Sequence, residues 1–404
     1  MFQYLLSPFS DPDRKRSSHG DSDFSIDGLR GLAMLVVVAS HTNAFGMAGQ
    51  GSIGVLLFFV LSGYVLTMPF VDRPERVLSL AAVRRFAINR VLRIVPIFVA
   101  AVLYLRWLTD KDWTWVTQHL VFAGGWNHLW SVAEEARFYA LFPVVIAVLA
   151  TLPRLLRVPV LAALIIAAWM VKSVFVIPML DGSFVQFYFW VFLSGVLVCH
   201  VSATSPTPRG RLQKSLLSGV AGFAVCAIFL SSDAITGRVG LSSLNGWHRP
   251  ALWCLLFSVL LLSVTTHQTS LPSRVLRSWP MRHLGLLSYG MYLFHIPVII
   301  ILRPYNLAQE QLFLAVASLT WVIAIVGYLA VEKPFLLLKP KSVRYEHRTG
   351  DVDDVPGRDR CPGPNDSVCR DGQADGGFGA QVVAGIGEPC RRPIADGQRS
   401  DLIG

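Results

Sequence analysis

The chain has 404 residues, of which 53% are hydrophobic and only 15% charged, with a mean hydropathy of +0.50. That balance leaves more apolar surface than a soluble core of this size can hide, which excludes an ordinary soluble protein and predicts an all-α, polytopic integral membrane protein. The net charge of +10 is accounted for by loop cations near span ends, so no nucleic-acid partner is expected.

In chain order, residues 1–25 form a polar segment (MFQYLLSPFSDPDRKRSSHGDSDF and the residue after it) with no small-residue cleavage site, so the first span is expected to act as an uncleaved anchor. A bilayer core about 30 Å thick needs about 20 apolar residues per helix. Stretches of that kind recur near 31–48, 53–70, 91–108, 137–152, 158–178, 184–201, 215–232, 250–266, 284–302 and 311–331, which predicts about ten transmembrane helices. The stretch near 137–152 is short and carries Pro143, so it is either a half-span or starts earlier.

Cations set the orientation. Arg14, Lys15, Arg16 and Arg30 precede the first stretch, Arg73, Arg76, Arg84, Arg85, Arg90 and Arg93 fill the second connection, and the later even-numbered connections carry Arg154 and Arg157, Arg209, Arg211 and Lys214, and Arg274, Arg277 and Arg282. Lys339, Lys341 and Arg344 follow the last stretch. Alternation of that kind predicts a multi-pass protein of the cell membrane with both termini cytoplasmic. The six cysteines, Cys199, Cys226, Cys254, Cys361, Cys369 and Cys390, lack CxxC or His-paired spacing, and no metal site is expected. Residues 341–404 turn rich in Gly, Asp, Arg and Pro and are expected to be a disordered hydrophilic tail with no activity.

Function is sought in the polar groups that the spans retain, because an ionisable side chain in hydrocarbon costs at least about 2.5–3.5 kcal/mol. Three places qualify. Arg30 and His41 are eleven residues apart in DGLRGLAMLVVVASH, on one helix face and about 16 Å apart along the axis. That spacing predicts Arg30 at the cytoplasmic mouth and His41 deep in the span, where the imidazole serves either as a packing residue or as a functional base. Arg90 and Arg93 in RRFAINRVLRIVP lie one turn apart, as either topology determinants or a bidentate phosphate clamp. Glu332 precedes Lys333 and Pro334, and proline there is expected to end the helix at the inner boundary.

These residues fall in motifs that resemble the integral-membrane acyltransferase 3 family. IDGLRGLAMLVVVASH is similar to its opening Arg and His, GVLLFFVLSGYVL (54–66) to its FF-x-x-SG stretch, and RRFAINRVLRIVP (84–96) to its R-x-x-R segment. HLWSVAEEARFYALFP (128–143) resembles its W-S-x-x-x-E-x-x-F-Y element, LSYGMYLFHIPV (287–298) its S-Y-x-x-Y-L-x-H-x-P stretch, and VEKPF (331–335) its final E-x-P-F. All six follow in the family's order, and together they cover the predicted membrane domain, 26–340. The chief departure is acidic Glu134 beside Glu135.

The resemblance implies an O-acyltransferase that moves an acyl group, by default acetyl, from cytoplasmic acyl-coenzyme A to a sugar hydroxyl of a cell-envelope glycan, glycolipid or glycosylated metabolite. It implies no permanently bound cofactor, acyl-coenzyme A being a co-substrate. A sugar hydroxyl is a poor nucleophile and needs a base, which assigns His41 to catalysis with Glu332 orienting a cation or the base. Arg30, Arg90 and Arg93 would hold the coenzyme's phosphates. Glu135, Trp130, Ser131 and His295 would contact the acceptor, against structural alternatives: an ion pair of Glu135 with Arg137, an interfacial role for Trp130 alongside Trp113, Trp115 and Trp126, and an interhelical hydrogen bond for His295. The rival from another class is a multi-span transporter or flippase for a glycoconjugate, which would also carry intramembrane charges. No inverted repeat with matching Gly- or Pro-broken spans is visible, and the ionisable groups gather into one set instead of a relay.

Overall fold

A computed structural model describes residues 20–171, 176–178, 184–186, 188–204, 210–230 and 249–338. The chain divides into two units, 1–342 and 343–404. The predicted tail, its three cysteines and the cations at 14–16 and beyond 338 lie outside the described residues. Thirteen α-helices are numbered here in chain order. The long ones are α1 (Gly20–His41), α2 (Gly51–Thr67), α3 (Leu80–Thr109), α5 (Trp130–Thr151), α6 (Arg154–Val171), α7 (Phe189–Thr204), α8 (Arg211–Leu230), α9 (Arg249–Thr266), α11 (Trp279–Leu302) and α12 (Gln309–Gly327). Short helices α4 (Trp113–Leu120), α10 (Leu271–Leu276) and α13 (Lys333–Leu337) join or extend them.

Each long helix overlaps one predicted stretch, and the architecture is the expected all-α one. Among the described residues, four segments suffice by length and composition to cross a membrane: Phe24–His41, Leu80–Thr109, Trp279–Tyr305 and Gln309–Leu337. The burial of these four differs in a telling way. Helices α1 and α11 are mostly enclosed, whereas α3 and α12 turn most of their surface outward. Their outward side chains are mostly apolar, among them Leu103, Trp107, Leu314, Leu319, Val322 and Val326. In water that surface would be a liability; against lipid it is the expected finish.

Close backbone approach builds the centre. Helix α11 packs chiefly on α1, and α2 on α7 and α1. A Cβ on Gly285 of α11 would stand 1.7 Å from the Asp27 carbonyl oxygen of α1, and one on Gly28 of α1 would stand 2.0 Å from the Leu276 carbonyl oxygen. Between α2 and α7, Gly63 faces Gly195 in the same manner, its added Cβ falling 2.0 Å from the Phe192 carbonyl oxygen. Small residues let helices that gain nothing from the hydrophobic effect in lipid gain contact by proximity.

Several boundaries differ from the expected ones. The first helix runs over Gly20–His41 instead of 31–48. It begins earlier because Asp27 and Arg30 lie one turn apart and pair at 3.8 Å, which lets the helix carry both charges. It ends at His41 because Asn43 and Phe45 adopt left-handed backbone, with φ of 57° and 56°. The short stretch near 137–152 starts earlier, at Trp130, and accommodates Pro143 within α5. Neither 158–178 nor 184–201 is helical throughout: Val176–Pro178 and Phe184–Gln186 pair as an antiparallel ribbon, Ile177 opposite Val185. Both strands are rich in β-branched or aromatic residues, and Asp181-Gly182 between them is a hairpin signal in sequence that apolar length alone does not register. Finally, Pro334 does not end the last helix. A π-helical turn over Tyr328–Glu332 frees the backbone groups that proline would clash with, and α13 continues.

Candidate active site

Five of these helices enclose a cavity with about 770 Å³ of empty space counted to its open mouth. Helix α1 contributes Arg30, α2 contributes Phe58, Phe59 and Ser62, and α3 contributes Arg90 and Arg93. Helix α5 adds Ser131, Glu135 and Tyr139, and α11 adds Ser288, Tyr289 and Tyr292. Three guanidiniums therefore share one enclosed space with one carboxylate. Arg90 lies over the rings of Phe86 and Tyr139, 5.9 Å and 5.8 Å from their centroids, which fixes the plane of its fork while its Nε has no partner among the described residues.

Glu135 accepts hydrogen bonds from the Ser62 hydroxyl at 2.9 Å and from the Tyr139 hydroxyl. The alternative ion pair between Glu135 and Arg137 does not form. Arg137 pairs with Glu134 one turn earlier, so the acidic departure from the family pattern supplies its own neutralisation and leaves Glu135 to the cavity. On the opposite wall Tyr289 donates to the Ile94 carbonyl at 3.2 Å. Tyr292 donates to the His128 carbonyl at 2.7 Å and lies 2.6 Å from the Ser131 hydroxyl.

His41 and His295 do not line this space; they sit beside it. His41 is the last residue of α1 and is exposed, a correction to its expected position deep in the span. Arg30 is correspondingly a mid-helix residue whose side chain is 19% exposed, and not a group at the helix mouth. The helix starts eleven residues earlier and ends seven residues earlier than expected, and the Arg30–His41 spacing of about 16 Å is unchanged. His295 is fully buried, its ring 4.9 Å from that of His41 and 5.5 Å from that of Tyr292. One aromatic layer thus separates the exposed imidazole from the cavity.

Glu332 lies in the π-turn, 9% exposed, outside the cavity lining. Arg93 is the charge that acts on it, and a Cβ on Gly290 of α11 would come 3.6 Å from its Oε1. Trp130 also stays out of the lining, packed on Phe59 at 6.0 Å and Tyr188 at 5.3 Å. Of the residues expected to act, Arg30, Arg90, Arg93, Ser131 and Glu135 meet in one cavity, while His41, His295, Glu332 and Trp130 border it. Ser62, Tyr139, Ser288, Tyr289 and Tyr292 were not singled out, although each occupies a fixed position of the SG, F-Y and S-Y-x-x-Y stretches. Their signal was a hydroxyl inside a motif already identified by its neighbours.

The model of a family described as "Acyltransferase domain", the acyltransferase 3 family, matches residues 23–332. The chain belongs to that family. It is an integral membrane protein, as the apolar helices require. Among curated proteins, it is 27% identical over 351 residues to the peptidoglycan O-acetyltransferase OatA of Listeria monocytogenes, covering 77% of this chain and 55% of that protein. It is 25% identical over 349 residues to the O-acetyltransferase OatA of Staphylococcus aureus, covering 76% and 56%. It is 27% identical over 354 residues to the putative peptidoglycan O-acetyltransferase YrhL of Bacillus subtilis, covering 76% and 54%. The chain thus spans about half the length of the curated relatives it matches. No solved structure matches it.

Proposed function

We propose that this member of the acyltransferase 3 family is an O-acyltransferase that moves an acetyl group from acyl-coenzyme A, taken from the cytoplasmic side, to a sugar hydroxyl of a cell-wall glycan. The observation that carries the proposal is the cavity in which Arg30, Arg90 and Arg93 converge with Glu135. Three positive forks suit the phosphates of a coenzyme, and one hydrogen-bonded carboxylate suits a sugar or the developing charge on a neighbouring group. The names of the relatives favour a cell-wall acceptor over a metabolite.

The chemistry follows from two positions on α1, Arg30 at its middle and His41 at its end. Phosphates held at Arg30, Arg90 and Arg93 direct the thioester arm along α1 toward His41, about 16 Å away, past the rings of Tyr292 and His295. His41 donates Nδ1–H to the Val37 carbonyl at 2.9 Å, so Nε2 carries the lone pair that can take the acceptor's proton. The exposure of His41 at its helix end gives a glycan access without entry into the bundle. Glu332 steadies Arg93 from the π-turn. In this arrangement the donor enters beside Arg30 and the acceptor beside His41.

The test is release of free thiol from acetyl-coenzyme A by the purified protein in lipid nanodiscs, offered a panel of glycan fragments, for wild type and His41→Ala. Acceptor-dependent release that disappears in the variant is the expected result. Equal release from both forms removes His41 from the chemistry. No release with any fragment, combined with counterflow of a labelled glycolipid across liposomes, would favour the flippase.

A further inference from the structure

Behind His41 lies a group of imidazoles that the reaction above does not use. His128, in the single 3₁₀ turn Asn127–Leu129 before α5, is buried at 2% exposure and its ring is 5.0 Å from that of His295. His295 is thus flanked by His41 on one side and His128 on the other. The backbone sets each tautomer, because a carbonyl oxygen only accepts and the nitrogen facing it must carry the proton. His41 Nδ1 donates to Val37 at 2.9 Å, His295 Nδ1 donates to Tyr292 at 2.5 Å, and His128 Nε2 donates to Leu293 at 3.2 Å.

Each ring is therefore left with one basic lone pair, on Nε2 of His41, Nε2 of His295 and Nδ1 of His128. Among the described residues the two buried ones have no hydrogen-bond partner. Unpaired buried acceptors are costly, at roughly 1–3 kcal/mol each, and two side by side call for a donor that arrives during function. Among the described residues the groups that face them supply none. The Tyr292 hydroxyl already donates to the His128 carbonyl, and the Ser131 hydroxyl is bound to that same carbonyl and to Tyr292. His119 of α4 lies beyond His128, Glu135 acts on Tyr292 from the cavity, and α2 presents Gly51 to the His41 ring. Among the described residues no His, Cys, Asp and Glu group is placed to hold a metal ion. Burial, with the neighbouring His41 adding to it, pushes the His128 imidazole down to about 3, so its lone pair is available throughout the physiological range.

We propose that His128 and His295 are positioning residues that complete a three-imidazole proton acceptor whose working end is His41. The inference rests on the acyl-transfer reading. In the step it serves, the acceptor hydroxyl oxygen attacks the thioester carbonyl carbon, a C–O bond forms, and the O–H proton passes to His41 Nε2. The C–S bond then breaks with its electron pair on sulfur, and the thiolate takes the proton, giving ester and thiol. While the proton is held, the two lone pairs behind His41 stabilise the imidazolium from its buried side.

The test uses the full chain in nanodiscs with ¹⁵N-labelled histidine. Expected in the wild type are one proton on Nδ1 of His41 and His295 and on Nε2 of His128, and a single proton uptake on acidification that perturbs all three rings together. His128→Gln and His295→Gln are expected to shift the His41 resonances, lower kcat about tenfold and displace the acidic limb of the kcat–pH profile, with KM for the acyl donor unchanged. Rings that titrate independently in the wild type overturn the proposal, even if neither variant folds. So do variants that leave the His41 resonances and the pH profile in place. Failure of the acyl-transfer reading looks different: no thiol release by the wild type, with the spectra still free to show coupled or independent rings.

Discussion

Replacing Gly285 by alanine tests whether the approach of α11 to α1 sets the geometry of the site. The added Cβ would stand 1.7 Å from the Asp27 carbonyl oxygen, 2.5 Å from its carbon and 3.0 Å from its Cα. All three atoms are backbone, so no side chain can swing aside. Real Cβ contacts essentially never close below 3.0 Å, so the two helices must part by more than an ångström at this level. Overpacking of that size costs typically about 1–3 kcal/mol, and a displacement of about 1 Å between catalytic groups can cost about 100-fold in rate. Arg30 and His41 ride on α1, whereas Tyr292 and His295 ride on α11, so the loss is expected in kcat as well as in stability. Thermal unfolding in nanodiscs and thiol release measure the two effects. Gly222→Ala on α8, where an added Cβ meets nothing within 4 Å, is the control and should match the wild type. A Gly285→Ala protein with wild-type melting and turnover would refute the idea that this contact positions the site.

Other perturbations separate the roles of the cavity walls. Glu135→Gln keeps the shape but removes the charge accepting from Ser62 and Tyr139; turnover is expected to fall about 100-fold with the fold intact, and unchanged turnover would make the carboxylate structural. Arg90→Lys loses the planar fork stacked between Phe86 and Tyr139, so KM for the acyl donor should rise about tenfold while a glycan acceptor's KM stays put. Gly51→Ala places a Cβ 3.1 Å from His41 Cε1, crowding the exposed imidazole; kcat should drop severalfold without change in melting temperature. His119 holds the segment before α5 by bonding the Trp115 carbonyl at 2.7 Å and accepting from the Trp126 N–H at 3.2 Å. His119→Phe should therefore lower stability by about 1–3 kcal/mol, read as an earlier melt.

Hydropathy made the helical class legible because apolar runs long enough for a bilayer leave little alternative. Helix ends were not, since they depend on local devices weaker than hydrophobicity: the Asp27–Arg30 pair that lets α1 start early, the left-handed Asn43 that stops it, and the π-turn that carries the chain past Pro334. The arginines and Glu135 were readable because charge inside a membrane domain is rare. His128 escaped notice because nothing in WNHLWS marks it, and only docking the turn before α5 on α11 sets it against His295. The pairing of Arg137 with Glu134, not Glu135, was likewise a choice between adjacent residues that helical spacing alone does not make.

The π-turn over Tyr328–Glu332 also makes the final helix two registers joined by a phase slip. A regular helix turns about 100° per residue, so one extra residue rotates everything after it by that amount relative to what precedes. The lipid-facing stripe through Leu314, Leu319, Val322 and Val326 and the inward aim of Glu332 are consequently set independently. Deleting one residue within 328–332 would restore a continuous helix and swing Glu332 away from Arg93 and Gly290. A chimera that exchanges this helix with a relative's has to take the whole slip or none of it.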